Sequence, residues 1–258
     1  MISKSKIKFV RSLHQKKYRD AEGLFIAECP KVVNELLHSN YRAKEIFATN
    51  QFKVHPDFYR DKVQEISEKE LESISALTTP NQVLAVFEIV TQQFTINSVS
   101  DKLVLALDDI RDPGNMGTII RIADWFGINH ILCSETCVDI YNPKTVQASM
   151  GSMARVCAHY VNLGNTLKNS KPVYAAVLDG KNIYSEKLSS TGVILIGNES
   201  KGISENLIKC VSNKISIPNF SSGADSLNAA VATAVICSEF RRRGEAHPIL
   251  PEGKVKYL

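Results

Sequence analysis

Nowhere in this sequence do apolar residues run long enough to span a bilayer, which argues against an integral membrane protein. The first stretch, Met1 to Arg11, is polar and basic and lacks an apolar centre, so it does not read as a secretory leader. The six cysteines (Cys29, Cys133, Cys137, Cys157, Cys210, Cys237) are scattered. Only Cys133 and Cys137 stand close together, and no second Cys or His pair follows at zinc-finger spacing. That pattern points to reduced thiols in a cytoplasmic protein and to no metal site. The six histidines form no cluster that resembles a ligand set or a catalytic triad. A G-x-G-x-x-G fingerprint is also missing, and with it the main sign of a nicotinamide-dependent oxidoreductase. One further absence is local: between Lys4 and Arg19 there is no acid, while Lys4, Lys6, Lys8, Arg11, Lys16, Lys17 and Arg19 accumulate. Such a block is often a solvated helix face, and it is also what phosphate contacts require.

What is present suits a soluble globular chain. It has 258 residues, 44% apolar and 22% charged, with a net charge of +4, enough for two modest domains. Over residues 1–95 the pattern predicts a basic amphipathic helix at 7–19, strands at 24–27, 45–48 and 84–89, and helices at 31–37 and 68–75. The polar stretch 91–100 reads as a linker. Over residues 96–258, Val-, Ile- and Leu-rich runs at 103–107, 130–133, 173–178, 193–196 and 214–217 read as buried strands. Helices are expected between them at 116–126, 143–153 and 226–243. The alternation predicts an α/β domain with a mainly parallel sheet, whose chemistry belongs in the loops just after the strands.

Three such loops stand out. The first runs from Asp108 through Pro113, Gly114, Asn115 and Gly117 into a helix that presents Arg121. The second is Gly197-Asn198-Glu199-Ser200-Lys201-Gly202, where glycine lets a ligand approach the backbone closely. The third leads from Ile217 and Pro218 to Ser226, Leu227 and Asn228, with Asp225 or Ser226 as the expected cap of an Ala-rich helix. Taken singly, each reads as an ordinary strand-to-helix connection. The small residues of that last helix suit tight packing on both sides, in a core or a dimer interface. Arg241, Arg242 and Arg243 complement the dipole at its end.

In this order the loops resemble the three motifs of the SpoU (TrmH-like) family of the SPOUT methyltransferases: Asn115, Gly117 and Arg121; then Gly197, Glu199 and Gly202; then Ile217, Pro218, Ser226, Leu227 and Asn228. The resemblance covers residues 103–243. The basic helix and Gly23-Leu24-Phe25-Ile26-Ala27-Glu28 also resemble the small α/β substrate-binding domain, ribosomal-protein-like, that precedes the catalytic domain in members acting on ribosomal RNA. Departures are Cys29 and Ser200, each where the family often has Gly, and a loop from Pro218 to Ser226 one residue longer than in many relatives.

The resemblance implies a trefoil-knotted catalytic domain, a homodimer, S-adenosylmethionine as cofactor, and methyl transfer to a ribose 2′-hydroxyl of RNA. It favours ribosomal over transfer RNA. Arg121, Asn115, Glu199, Ser226 and Asn228 are the implied catalytic set, with Asn115 orienting Arg121. Gly197, Ile217, Leu227 and Ile196 are the implied cofactor contacts, and Gly197→Val is expected to abolish cofactor binding while keeping the fold. Lys16, Lys17, Arg19 and Arg11 are the expected RNA contacts. A guanidinium stays protonated in proteins, so Arg121 reads better as a phosphate clamp and charge stabiliser than as a base. The rival reading is a non-catalytic RNA-binding or assembly protein of the same fold, which would have no chemical reason to keep all five catalytic residues.

Overall fold

A computed structural model describes residues 2–54, 57–90, 95, 99–168, 170, 172–221, 223 and 225–243. The first part holds α1 (Lys4–Ser12), α2 (Lys16–Glu22), β1 (Leu24–Glu28), α3 (Pro30–Leu37), β2 (Ala43–Ala48), β3 (Val63–Glu65), α4 (Glu68–Ile74) and β4 (Val83–Glu88). Its four strands make one sheet in the order β1-β4-β2-β3, with β4 antiparallel to both β1 and β2. Local signals set the boundaries. Gly23 closes α2 in the left-handed conformation, and Ser67 with Glu70 makes a capping box that starts α4.

Alternation along these strands separates two cores. Leu24, Ile26, Leu84 and Val86 pack with Val10 of α1 and Leu71 and Ile74 of α4. Phe25, Ala27, Ala85 and Phe87 face the other way and join the core of the second part.

The second part holds β5 (Leu103–Leu107), α5 (Pro113–Trp125), β6 (His130–Cys133), α6 (Pro143–Ala148), β7 (Cys157–Tyr160), α7 (Leu163–Lys168), β8 (Val173–Asn182), β9 (Gly192–Ile196), α8 (Glu205–Ile208), β10 (Asn213–Ser216) and α9 (Ala229–Arg243). Its six strands are all parallel, in the order β10-β8-β9-β5-β6-β7. β5 lies at the centre, buried on both faces: Leu105 and Leu107 pack with Ile119, Ile120 and Phe240 on α5 and α9, and Val104 and Ala106 with Leu163 and Leu207 on α7 and α8.

The two parts meet along α6. The Phe25 ring lies 4.7 Å from Tyr141, Gln147 Nε2 donates to Cys29 Sγ at 3.4 Å, and Arg155 pairs with Glu35 at 2.5 Å. Cys29 sits at φ 72°, a conformation that favours glycine, so this departure from the family pattern strains the backbone.

Several expected elements change. The basic helix at 7–19 is broken into α1 and α2, because the Arg19 guanidinium takes up the Leu13 and His14 carbonyls at 3.0 and 2.9 Å. The helix expected from 143 to 153 stops at Ala148, followed by a 3-10 turn at Ser152–Ala154. The helix expected from Ser226 starts at Ala229, and its cap is Asn228, whose Oδ1 accepts from the Ala230 amide at 2.9 Å. β3, β7, α7 and α8 were not expected; none exceeds six residues or carries a long apolar run. Most of the linker at 91–100, and the expected boundary between residues 95 and 96, fall outside the described residues.

Candidate active site

The carboxyl edge of the parallel sheet brings the three loops together. Asp112 caps α5, with Pro113 in the first turn, and its Oδ1 accepts from the Asn115 amide at 2.8 Å. This fixes Asn115 in the first turn with its side chain turned toward the loop after β9. Its Nδ2 donates to Glu199 Oε1. Its Oδ1 accepts from Asn228 Nδ2 at 2.9 Å. Asn228 is fixed in turn by the α9 amides of Ala230 and Val231. The result is an ordered relay, from α9 backbone to Asn228 to Asn115 to Glu199, in which each amide has one orientation that satisfies its neighbours.

The loop after β9 is stiff by construction. Asn198 and Gly202 exchange backbone bonds at 3.1 and 2.9 Å, and Asn198 Nδ2 donates to the Asp109 carbonyl at 2.9 Å. Asp108 is buried and accepts from the Ser204 amide and hydroxyl at 2.8 and 2.7 Å. Gly197 also serves its own loop. A Cβ there would overlap the backbone of Gly202 and Ile203, so the glycine makes room for its own loop. Gly197→Val therefore breaks the loop, and loss of cofactor binding in that variant would not isolate a cofactor contact.

Residues 102–238 match the SpoU rRNA Methylase family, and residues 4–85 match the MRM3-like substrate binding domain. The chain belongs to the SpoU rRNA methylase family. This SpoU member is 28% identical over 242 residues to the 23S rRNA (guanosine(2553)-2′-O)-methyltransferase of Bacillus subtilis, covering 92% of this chain and 96% of that protein. Among solved structures, an AdoMet-bound rRNA methyltransferase from Sinorhizobium meliloti superposes with a TM-score of 0.81 at 29% identity, covering 94% of this chain and 97% of the other. A TrmH-family protein from Porphyromonas gingivalis superposes with a TM-score of 0.83 at 38% identity, covering 95% and 100%.

Not every residue taken from the family motifs joins the relay. Arg121 lies nearly two turns beyond Asn115 on α5, exposed, with no polar partner among the described residues, so Asn115 does not orient it by a hydrogen bond. Ser226 is exposed and likewise bonds to no described residue. Ile196 is buried, and its carbonyl already accepts from the Asp108 amide at 2.9 Å. Ile217 is half-buried, while Leu227 stays 47% exposed.

The basic helix set of this SpoU member divides. Arg11, Lys16 and Lys17 are exposed, with Lys16 paired to Asp20 at 2.6 Å and Lys17 4.6 Å from the Tyr18 ring. Arg19 is 1% exposed and pairs with Asp139 at 2.7 Å, so it ties the two parts together and is withdrawn from any RNA surface. Among the described residues no group of His, Cys, Asp or Glu could hold a metal ion.

Sequence reasoning also missed a segment. β10 pairs with β8 at Lys214↔Ala175 and then at Ile215↔Lys181, so residues 176–180 loop out of the ladder. Gly180 permits this, because a Cβ there would overlap the Ile215 backbone. Leu178 in this bulge is 78% exposed, and its carbonyl accepts from Ser216 Oγ at 3.2 Å, beside Ile217. The available signal was the Asp179-Gly180 pair inside an otherwise strand-like run.

Proposed function

We propose that this protein transfers a methyl group from S-adenosylmethionine to a ribose 2′-hydroxyl of ribosomal RNA. The observation that carries the reading is the relay joining Asn115, Glu199 and Asn228 across three loops, with the unpaired Arg121 on the same helix. The relatives from Bacillus subtilis and Sinorhizobium meliloti, both named for rRNA methylation, support the substrate class.

The residues present suit the cofactor. Leu178, Ile217 and Leu227 leave apolar surface open beside loop backbone, which fits an adenosine with a sulfonium arm and needs no metal. When bound, S-adenosylmethionine supplies a methyl group already activated on sulfur, so the protein's task is mainly alignment. Arg121 grips a phosphate of the substrate through its planar fork and stabilises the charge that develops on the 2′-oxygen. The hydroxyl proton leaves to that phosphate or to water. Glu199 and Asn228 act through Asn115 to keep the three loops in register. Residues 1–95 present the RNA and residues 96–258 carry out the transfer, in a homodimer whose apolar faces include the exposed Trp125 and Val231.

The test is methyl transfer from labelled cofactor to unmodified rRNA and tRNA, followed by nucleoside analysis. Arg121→Ala should lower the 2′-O-methyl product about 10²–10³-fold with cofactor affinity retained. Near-full activity in Arg121→Lys would overturn the fork geometry. Product on tRNA alone would overturn the substrate class.

A further inference from the structure

Next to the relay, and separate from it, a cleft of about 500 Å3 opens at the carboxyl ends of β5, β6 and β7. Its lining residues are mainly polar, with Asp109, Arg111, Glu135 and Lys201 among the charged side chains beside half-buried Val161, while Leu163 and Leu207 lie behind it at 3% exposure each. Asp109 is held at φ 56°, a left-handed conformation that Asp tolerates at a cost. Its amide donates to Ser134 Oγ at 3.0 Å. Its carboxylate meets Arg111 Nε at 2.8 Å and Lys201 Nζ at 3.8 Å. The side chains of both cations remain over half exposed, at 62% and 69%. One carboxylate thus sets two cations on the lining of the cleft. Burial raises the Asp109 carboxyl, but Arg111, Thr136 and Lys201 together bring it below its ordinary value, so this anchor stays charged at neutral pH.

We propose that this cleft holds a nucleotide of the RNA substrate adjoining the one that is methylated, with its base in the cleft beside Val161 and its phosphate between Arg111 and Lys201. The inference rests on the methyltransferase reading for the identity of the substrate. Its own support is local. The volume lies within the range of ordinary ligand sites, and the position is where parallel sheets bind ligands. The Asn198–Asp109 bond joins the wall of the cleft to the loop that carries Glu199. Cations set along a groove are also how the backbone of an unpaired nucleotide is held.

Gly164 provides the test. Gly164 lines the cleft, and a Cβ there would meet only Asn162 Oδ1 at 3.5 Å and Leu207 Cδ2 at 3.9 Å, both ordinary contacts, so the backbone accepts a Cβ at this position without moving. Gly164→Phe should raise Kd for an rRNA transcript about tenfold, read by fluorescence anisotropy, and raise KM for RNA alike, with kcat, Tm and cofactor Kd unchanged. Gly164→Ala should behave as wild type. Replacing Arg111 and Lys201 together by Gln should lower the salt slope of RNA binding by about one phosphate. Wild-type Kd in Gly164→Phe would overturn the proposal, and weakened cofactor binding in that variant would assign the cleft to the cofactor instead. Micromolar binding of free uridine or guanosine monophosphate there would make it a small-molecule site. Because anisotropy needs no turnover, a wild-type protein that binds RNA without methylating it would overturn the catalytic reading and leave the cleft to be judged by Gly164→Phe.

Discussion

In the second sheet β5 to β10 all run the same way, so their carboxyl ends gather on one edge. In the first sheet β4 runs against β1 and β2, so loops leave from both edges. The polar groups follow suit. In the parallel sheet Asn115, Glu199 and Asn228 reach across loops to one another. In the first part the polar side chains hold structure: Glu28 is buried on Ser75 and the Ala76 amide, Glu70 closes a capping box, and Arg19 reaches across to Asp139. Strand direction alone explains much of this division, since only the parallel arrangement brings successive loops to one place.

The strongest way to break the contrast is at the tie between the parts. Arg19→Leu leaves Asp139 nearly buried without its cation, and should cost about 3–5 kcal/mol in urea denaturation. If the first part only supports the site, kcat at low temperature should stay near wild type while the denaturation midpoint falls. A large loss of kcat with no loss of stability would mean that the two sheets share the catalytic work.

A smaller effect should appear in acid. His159 on β7 is pushed down to about 4 by burial and by His130, whose ring nitrogen lies 3.2 Å away. It is neutral in the folded state and protonates on unfolding below its ordinary 6.5. The unfolded chain then binds the extra proton, so stability falls as pH drops from 6.5 toward 4. His159→Gln should remove on the order of 1–2 kcal/mol of that loss, seen as a flatter curve of Tm against pH. An unchanged curve would place the acid-sensitive step elsewhere.

The smallest change should come from Cys29→Gly. It relieves a φ of 72° but gives up the sulfur contact with Gln147 and adds freedom to the unfolded chain. These terms oppose each other, so calorimetry should show a net change within about 1 kcal/mol.

Much of this was legible in the sequence, for identifiable reasons. β5 begins and ends where its apolar run does, because a strand buried on both faces must be apolar throughout. Asn115, Glu199 and Asn228 were legible through motif order, yet their mutual bonds were not, since they lie far apart in the chain. Arg19 was misread because a cation in a basic stretch looks solvated, and only the fold brings Asp139 to it. That Gly197 is needed by its own loop was not legible, because such a glycine looks the same in sequence as one that admits a ligand. The bulge at 176–180 escaped because Ala176, Val177 and Leu178 continue the apolar run of β8, and only pairing with β10 shows that the ladder skips them.

The relay has a consequence for the timing of synthesis. Asn115 bonds to groups 84 and 113 residues further along the chain. At roughly 5–20 residues per second, a ribosome delivers Asn228 about 6–23 seconds after Asn115. Until then the Asn115 amide has no partner on that side and the three loops cannot lock. A chain that stops short of Asn228 therefore carries most of its sheet but no assembled site, and competence arrives with the start of α9.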